Sequence, residues 1–421
     1  MSASAVLETR LHEPATGRPS RRPSVRRDGV ADAAATVSIP PVTDAGSAPR
    51  LRALDGLRLL VALMVAFFHY LGEEQSAFAW GKDATRIFPD VDYLAPYGWL
   101  GVEIFFMISG FVICMSSWGR SVGAFFRSRI CRLYPAYWAA VVLTFVVISV
   151  VPVLPTQPTL AEAVVNLTMF QNPMGATRVD GVYWTLWVEL RFYLVFALVV
   201  WGGLTYRRVL LSCAAWTMLV PIASAADLPL LWHVVQPDFA SYFLLGIGLY
   251  LLHRFGHSLP TWLLIGVNAA ICLYRAEGRM HGNEANVVNT GLDYATVALV
   301  LGAAMLFLVA LARGRLDWMS WKWLTVAGAL TYPFYLLHQM IGYSMIRVLH
   351  AEHGITAYVV LPGTIIAMLL LAWLVHRLVE RPLGAYLKRQ LSHPALLDPL
   401  PERFRERPGV LGPRDGALVE R

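Results

Sequence analysis

Between about Leu51 and Leu387 the chain is a succession of apolar blocks joined by short, arginine-containing segments. A block of roughly twenty apolar residues is long enough to cross a bilayer as a helix. The apolar residues run on in blocks and do not alternate with polar ones, and this pattern predicts an all-α integral membrane protein. Composition agrees, since 57% of the 421 residues are hydrophobic and 15% charged. About ten transmembrane helices are expected, near 57–72, 97–117, 134–153, 183–202, 208–224, 239–253, 261–275, 291–312, 323–347 and 357–379. The second of these contains Gly98, Gly101, Ser109 and Gly110 and could be broken or re-entrant.

A net charge of +7 raises the question of nucleic acid, but the basic residues sit mostly in the tails and in loops between apolar blocks. With the N-terminus inside, cytoplasmic loops hold Arg120, Arg127, Arg129, Arg132, Arg207, Arg208, Arg254, Arg313, Arg315 and Lys322. The opposite loops hold Lys82, Arg86, Arg178, Arg275 and Arg279. The imbalance follows the positive-inside rule and places both termini in the cytoplasm. Glu73, Glu74, Asp83, Asp90 and Asp92 in the first outer loop do not contradict it. Residues 1–50, with "RPSRRPSVRR" at Arg18 to Arg27, lack the apolar core of a signal peptide and read as a disordered cytoplasmic tail. Residues 388–421 are Pro-rich and charged and read likewise, leaving 51–387 as the membrane domain. Cys114, Cys131, Cys213 and Cys272 show no CxxC spacing, so neither a metal site nor a disulfide framework is expected.

Ionisable side chains within the spans are costly in lipid and mark candidate functional positions. In "GLRLLVALMVAFFHYLG", Arg58 and His69 are eleven positions apart, which returns a helix to nearly the same direction after a rise of roughly 16 Å. Glu103 lies among aromatics in "GWLGVEIFFMISGFVIC" and needs a cationic partner. The stretch "FFRSRICRLYP" crowds Arg127, Arg129 and Arg132 before Pro135, a topology signal or a phosphate clamp. Glu189 and Arg191 occupy "YWTLWVELRFYLVF". Tyr335 and His338, three apart, share one helix surface in "LTYPFYLLHQMIGY".

Taken in order, these blocks resemble the acyltransferase type 3 family of integral-membrane O-acyltransferases. "LRALDGLRLLVALMVAFFHY" is similar to the family's opening, where a basic residue precedes a histidine by ten intervening positions. "GWLGVEIFFMISGFVI", "RSRICRLYP", "WTLWVELRFYLVF", "LTYPFYLLH" and "VERPL" resemble its later blocks. The resemblance implies acyl transfer, typically of acetyl, from cytoplasmic acyl-coenzyme A to a hydroxyl of a sugar-bearing acceptor, with no permanently bound cofactor. Arg58, Arg129 and Arg132 are then expected to hold the donor's phosphates, and His69 to act as general base. Glu189 is the first choice for the carboxylate that orients His69, and Glu103 the second. Tyr335, His338 and Trp184 are expected at the substrate. A covalent acyl intermediate on Ser109, Tyr335 or His69 remains open. The Ala-, Arg- and Gly-rich composition suggests a high-GC bacterial genome, and hence the bacterial plasma membrane. Two other classes compete: a transporter relaying protons through Glu103, Glu189, His69 and His338, and a haem protein with His69 and His338 as axial ligands.

Overall fold

The computed structural model describes residues 51–89, 93–226, 228–288 and 291–391. The stretches 1–50 and 392–421, which carry most of the expected tails, lie outside the described residues. Among the described residues the regular secondary structure is all helical, apart from one isolated bridge between Glu73 and Val287. The helices are α1 (Arg52–Phe67), α2 (Ser76–Trp80), α3 (Leu100–Ser117), α4 (Val122–Val150), α5 (Leu160–Asn166), α6 (Trp184–Trp201) and α7 (Tyr206–Ala225). They continue as α8 (Pro229–Val235), α9 (Ala240–Phe255), α10 (Leu259–Asn283), α11 (Tyr294–Ala312), α12 (Lys322–Ile346), α13 (Ala357–Val375) and α14 (Arg381–Gln390). π turns extend α1 over Phe68–Gly72, α12 over Arg347–Glu352 and α13 over His376–Glu380.

Nine segments among the described residues are long and apolar enough to cross a membrane. The remaining expected span, α12, is equally long but richer in polar groups. It tolerates them because it is the central helix: from Pro333 to Ser344 every residue is buried, against α1, α4, α13 and their neighbours. Lipid does not drive helices together, so close approach relies on small residues. Gly110 of α3 faces the Phe243 carbonyl and Gly246 of α9 faces the Met107 carbonyl, so closely that a Cβ on either would collide with backbone. A buried Glu103–Arg279 pair (2.7 Å) ties α3 to α10 nearby.

Two expected boundaries are corrected. The arginines of "FFRSRICRLYP" are not in a loop, because Ser121 caps α4 by accepting from Ala124 N (3.2 Å) and the helix runs from Val122 through Pro135. Arg127, Arg129 and Arg132 therefore stand on its early turns. Arg275 and Arg279, expected in an outer loop, likewise belong to α10, whose helix continues to Asn283.

Candidate active site

The π turn at the end of α1 places His69 and Glu73 side by side. Glu73 N reaches back five residues to Phe68 O (2.8 Å), the signature of this wider turn, which often accompanies functional sites. Backbone of the segment between α10 and α11 fastens the turn through Val288 N to Gly72 O (3.1 Å) and Glu74 N to Asn286 O (2.9 Å). His69 Nδ1 lies 2.7 Å from Glu73 Oε2. Burial works to raise the Glu73 carboxyl, but the charge of His69 and hydrogen bonds from His69, Tyr343 and Gln339 outweigh it and hold the group below the ordinary carboxylate value. An ionised Glu73 only accepts, so His69 Nδ1 carries a proton, and in the neutral form of the ring Nε2 presents a lone pair. Gln339 Nε2 donates to the same carboxylate oxygen (3.2 Å), and the Tyr343 hydroxyl lies 2.7 Å from both Glu73 Oε2 and His69 O.

A second imidazole stands against the first. The rings of His69 and His338 have centroids 5.3 Å apart at 44°, which leaves no slot for a flat macrocycle between them. His338 Nδ1 donates to the Tyr335 carbonyl (2.9 Å), and its buried Nε2 has no partner. The backbone beneath is held by Asp180, which accepts from Val182 N and from Met340 N (both 3.1 Å). Burial pushes the Asp180 carboxyl up to about 6. Its neighbour Gly181 abuts the Gln339 amide so closely that a Cβ would strike Oε1. Gly181 and Met340 also border a separate cavity of about 400 Å³ that carries Gln75, Thr177 and Arg178.

The basic end of the bundle opens differently. A cavity of about 460 Å³ is lined by Asp55, Arg58, Arg132, Tyr332, His376 and Glu380, among others. His376 Nδ1 contacts Glu380 Oε2 at 2.8 Å, a second His–Glu pair set in a π turn. Through Arg58, Val112, Arg132 and Tyr332 this space adjoins a narrower one of about 100 Å³, which also reaches Arg129, Ser109, Glu189, Thr185 and Tyr335. The Thr185 hydroxyl donates to Val182 O (2.9 Å), so the Tyr335 hydroxyl, 3.0 Å away, donates to Thr185. The Tyr335 and His338 rings are 5.7 Å apart, completing a path of side chains from the arginines to His69.

The structure thus brings together His69, His338 and Tyr335 at one end of this path and Arg58, Arg129 and Arg132 at the other. It does not bring Glu189 or Glu103 to His69, whose carboxylate partner is Glu73. Glu189 accepts from Ser109 (2.6 Å) beside the arginines, and Glu103 is committed to Arg279. The four groups named for a proton relay accordingly form no hydrogen-bonded chain among the described residues. Trp184 packs against Phe239 (5.5 Å) and does not line the cavity. Glu73, Gln339 and Asp180 were not expected, although the i, i+4 spacing of His69 and Glu73 was a readable signal.

A family model described as an acyltransferase domain matches residues 51–377. Acyltransferase MdmB of Streptomyces mycarofaciens is 28% identical over 396 residues, covering 83% of this chain and 96% of that relative. No solved structure matches.

Proposed function

This chain belongs to the acyltransferase family, and we propose that it moves an acyl group, acetyl first among the candidates, from cytoplasmic acyl-coenzyme A to a hydroxyl of a sugar-bearing acceptor. Its setting in this reading is the plasma membrane of a bacterium. The observation that carries the proposal is a carboxylate-supported histidine at one end of a side-chain path whose other end is a cavity lined by arginines.

Arg58, Arg129 and Arg132 bind the donor's phosphates by charge-assisted bonds, and the thin arm enters the narrow part of the cavity. The acceptor hydroxyl approaches His69 from the side of the cavity at Gly181 and Met340. Its oxygen attacks the acyl carbon while its proton passes to His69 Nε2, and Glu73 stabilises the imidazolium. The carbon–sulfur bond then breaks, and the leaving thiolate takes that proton. Products are the ester and free coenzyme A, and the enzyme returns to its starting state. The bare Nε2 of His338 accepts a hydrogen bond from the bound acceptor.

The test uses membranes containing wild type or His69→Ala, supplied with acyl-labelled acetyl-coenzyme A and extracts of glycans, lipids and small molecules. Alkali-labile label formed by wild type and absent with a folded His69→Ala supports the reading and identifies the acceptor fraction. Undiminished transfer by the variant removes His69 as the base.

A further inference from the structure

Glu189 has no place in the chemistry at His69, yet it is a carboxylate facing the cavity beneath three arginines. Along α6, Tyr193, Glu189 and Thr185 follow at four-residue intervals, so they line the cavity at successive depths roughly 6 Å apart. Tyr193 shares its level with Arg129, and Thr185 is bonded to Tyr335 at the deep end. Glu189 is therefore midway between the arginines and the reacting groups. Ser109 from α3 donates to Oε1 (2.6 Å) and fixes the carboxyl, which remains partly accessible. Glu189 lies near enough to Arg58 and Arg129 to interact with their charges, and Tyr193 also bonds to it, but no arginine occupies it directly: Arg58 pairs with Asp55 (3.9 Å), Arg129 donates to Ser116 (3.0 Å), and among the described residues no direct ion pair joins Glu189 to an arginine.

A carboxylate at this depth repels phosphate and accepts hydrogen bonds from N–H groups. We infer that Glu189, positioned by Ser109, recognises an amide N–H on the donor's arm, and so selects thioesters carried on a phosphate-headed, amide-bearing arm of the phosphopantetheine kind. The inference rests on the proposed acyl-thioester donor. In that donor the amides lie between the phosphates and the sulfur, the order in which arginines, Glu189 and Tyr335 line the cavity. The aromatic and aliphatic residues Phe105, Phe106 and Leu186 around it suit the uncharged remainder of the arm.

Two binding probes separate this role from a structural one. Coenzyme A has head and arm, whereas adenosine 3′,5′-bisphosphate has a phosphorylated head alone. Affinities are measured on the purified full chain in detergent. Glu189→Leu should weaken coenzyme A roughly tenfold to a hundredfold, the loss of a hydrogen bond to a charged group, and leave the bisphosphate within about threefold. Arg132→Ala should weaken both. If the leucine variant does not fold, Glu189→Gln decides, because it keeps a weaker, neutral acceptor: coenzyme A should fall by about threefold to tenfold and the bisphosphate should hold. Equal losses for both probes in a folded variant, or no loss for coenzyme A, overturn the assignment. Wild type that binds neither probe defeats the donor reading itself, an outcome distinct from either.

Discussion

At the scale of single residues, the proposed reaction depends on which carboxylate holds His69. A glutamate four positions beyond a histidine is a helical neighbour, and the π turn at Phe68–Gly72 brings the two to 2.7 Å. Glu73→Gln keeps the shape and removes the charge that fixes the Nδ1–H tautomer and stabilises imidazolium. We expect kcat to fall by about a hundredfold to ten-thousandfold, with KM for the acyl donor little changed, because in the proposed reaction the donor's head binds at the other end of the path. Glu189→Gln should show the opposite split, raising donor KM and sparing kcat. Steady-state kinetics on membranes of the two variants checks both. The sequence alone points toward Glu189 because an intramembrane carboxylate among aromatics is the more conspicuous oddity. Glu73 reads there as one of several acids in an outer loop. That Arg58 and His69 share one helical segment was legible because their spacing is a property of that segment. The partner of His69 was also local, but nothing in a one-dimensional pattern announces a π turn.

At the scale of elements, the site is assembled where the segment before α6 meets α12. Asp180 makes that junction by accepting from Met340 N, next to Gln339, and from Val182 N. Such a contact between residues 160 apart has no sequence signal, whereas the helices themselves follow from local apolar runs and caps. The junction carries a pH signature. Burial raises the Asp180 carboxyl from its ordinary 3.8 to about 6, so between those values the folded protein holds a proton that the unfolded chain has released. Stability from this group is therefore fully present below pH 3.8 and is lost as pH rises to 6, by about 3 kcal/mol in all. Asp180→Asn cannot ionise. Relative to wild type, its unfolding free energy in detergent should gain about that amount between pH 4 and pH 7, whatever the variant's absolute stability. Parallel pH profiles for the two proteins would show that the carboxyl titrates normally. The arginine cluster teaches the complementary lesson. Its residues were identified from sequence but assigned to a loop, since charge density outweighed the serine cap that starts α4 at Val122.

At the scale of the whole molecule, the ten-span pattern was legible because hydrophobic length is a constraint imposed by the bilayer and not by any partner. Among the described residues nine spans meet it outright, and α12 departs from it because protein, not lipid, surrounds its polar face. An even number of crossings returns the chain to the side on which it entered. The loops after α3, α6, α9 and α11 lie on that side; Arg120 and Arg313 are in two of them, and Arg207 and Arg254 stand on the helical turns bordering the other two. The arginine-lined cavity opens there, whereas His69 and Glu73 lie at the far end of α1, beside the turn that leads into the opposite loop. Acyl-coenzyme A is too polar to cross a bilayer, so its entry should be one-sided. In sealed inverted vesicles, whose cytoplasmic face is outward, added acyl-labelled acetyl-coenzyme A should support transfer to an acceptor supplied on both sides. Right-side-out vesicles should remain inactive until they are permeabilised. Equal activity in the two orientations, with sealing verified by an enclosed marker, would contradict the positive-inside assignment and the donor route together. Activity confined to right-side-out vesicles would invert the molecule, leaving the path between arginines and His69 intact but reversing which side delivers the donor.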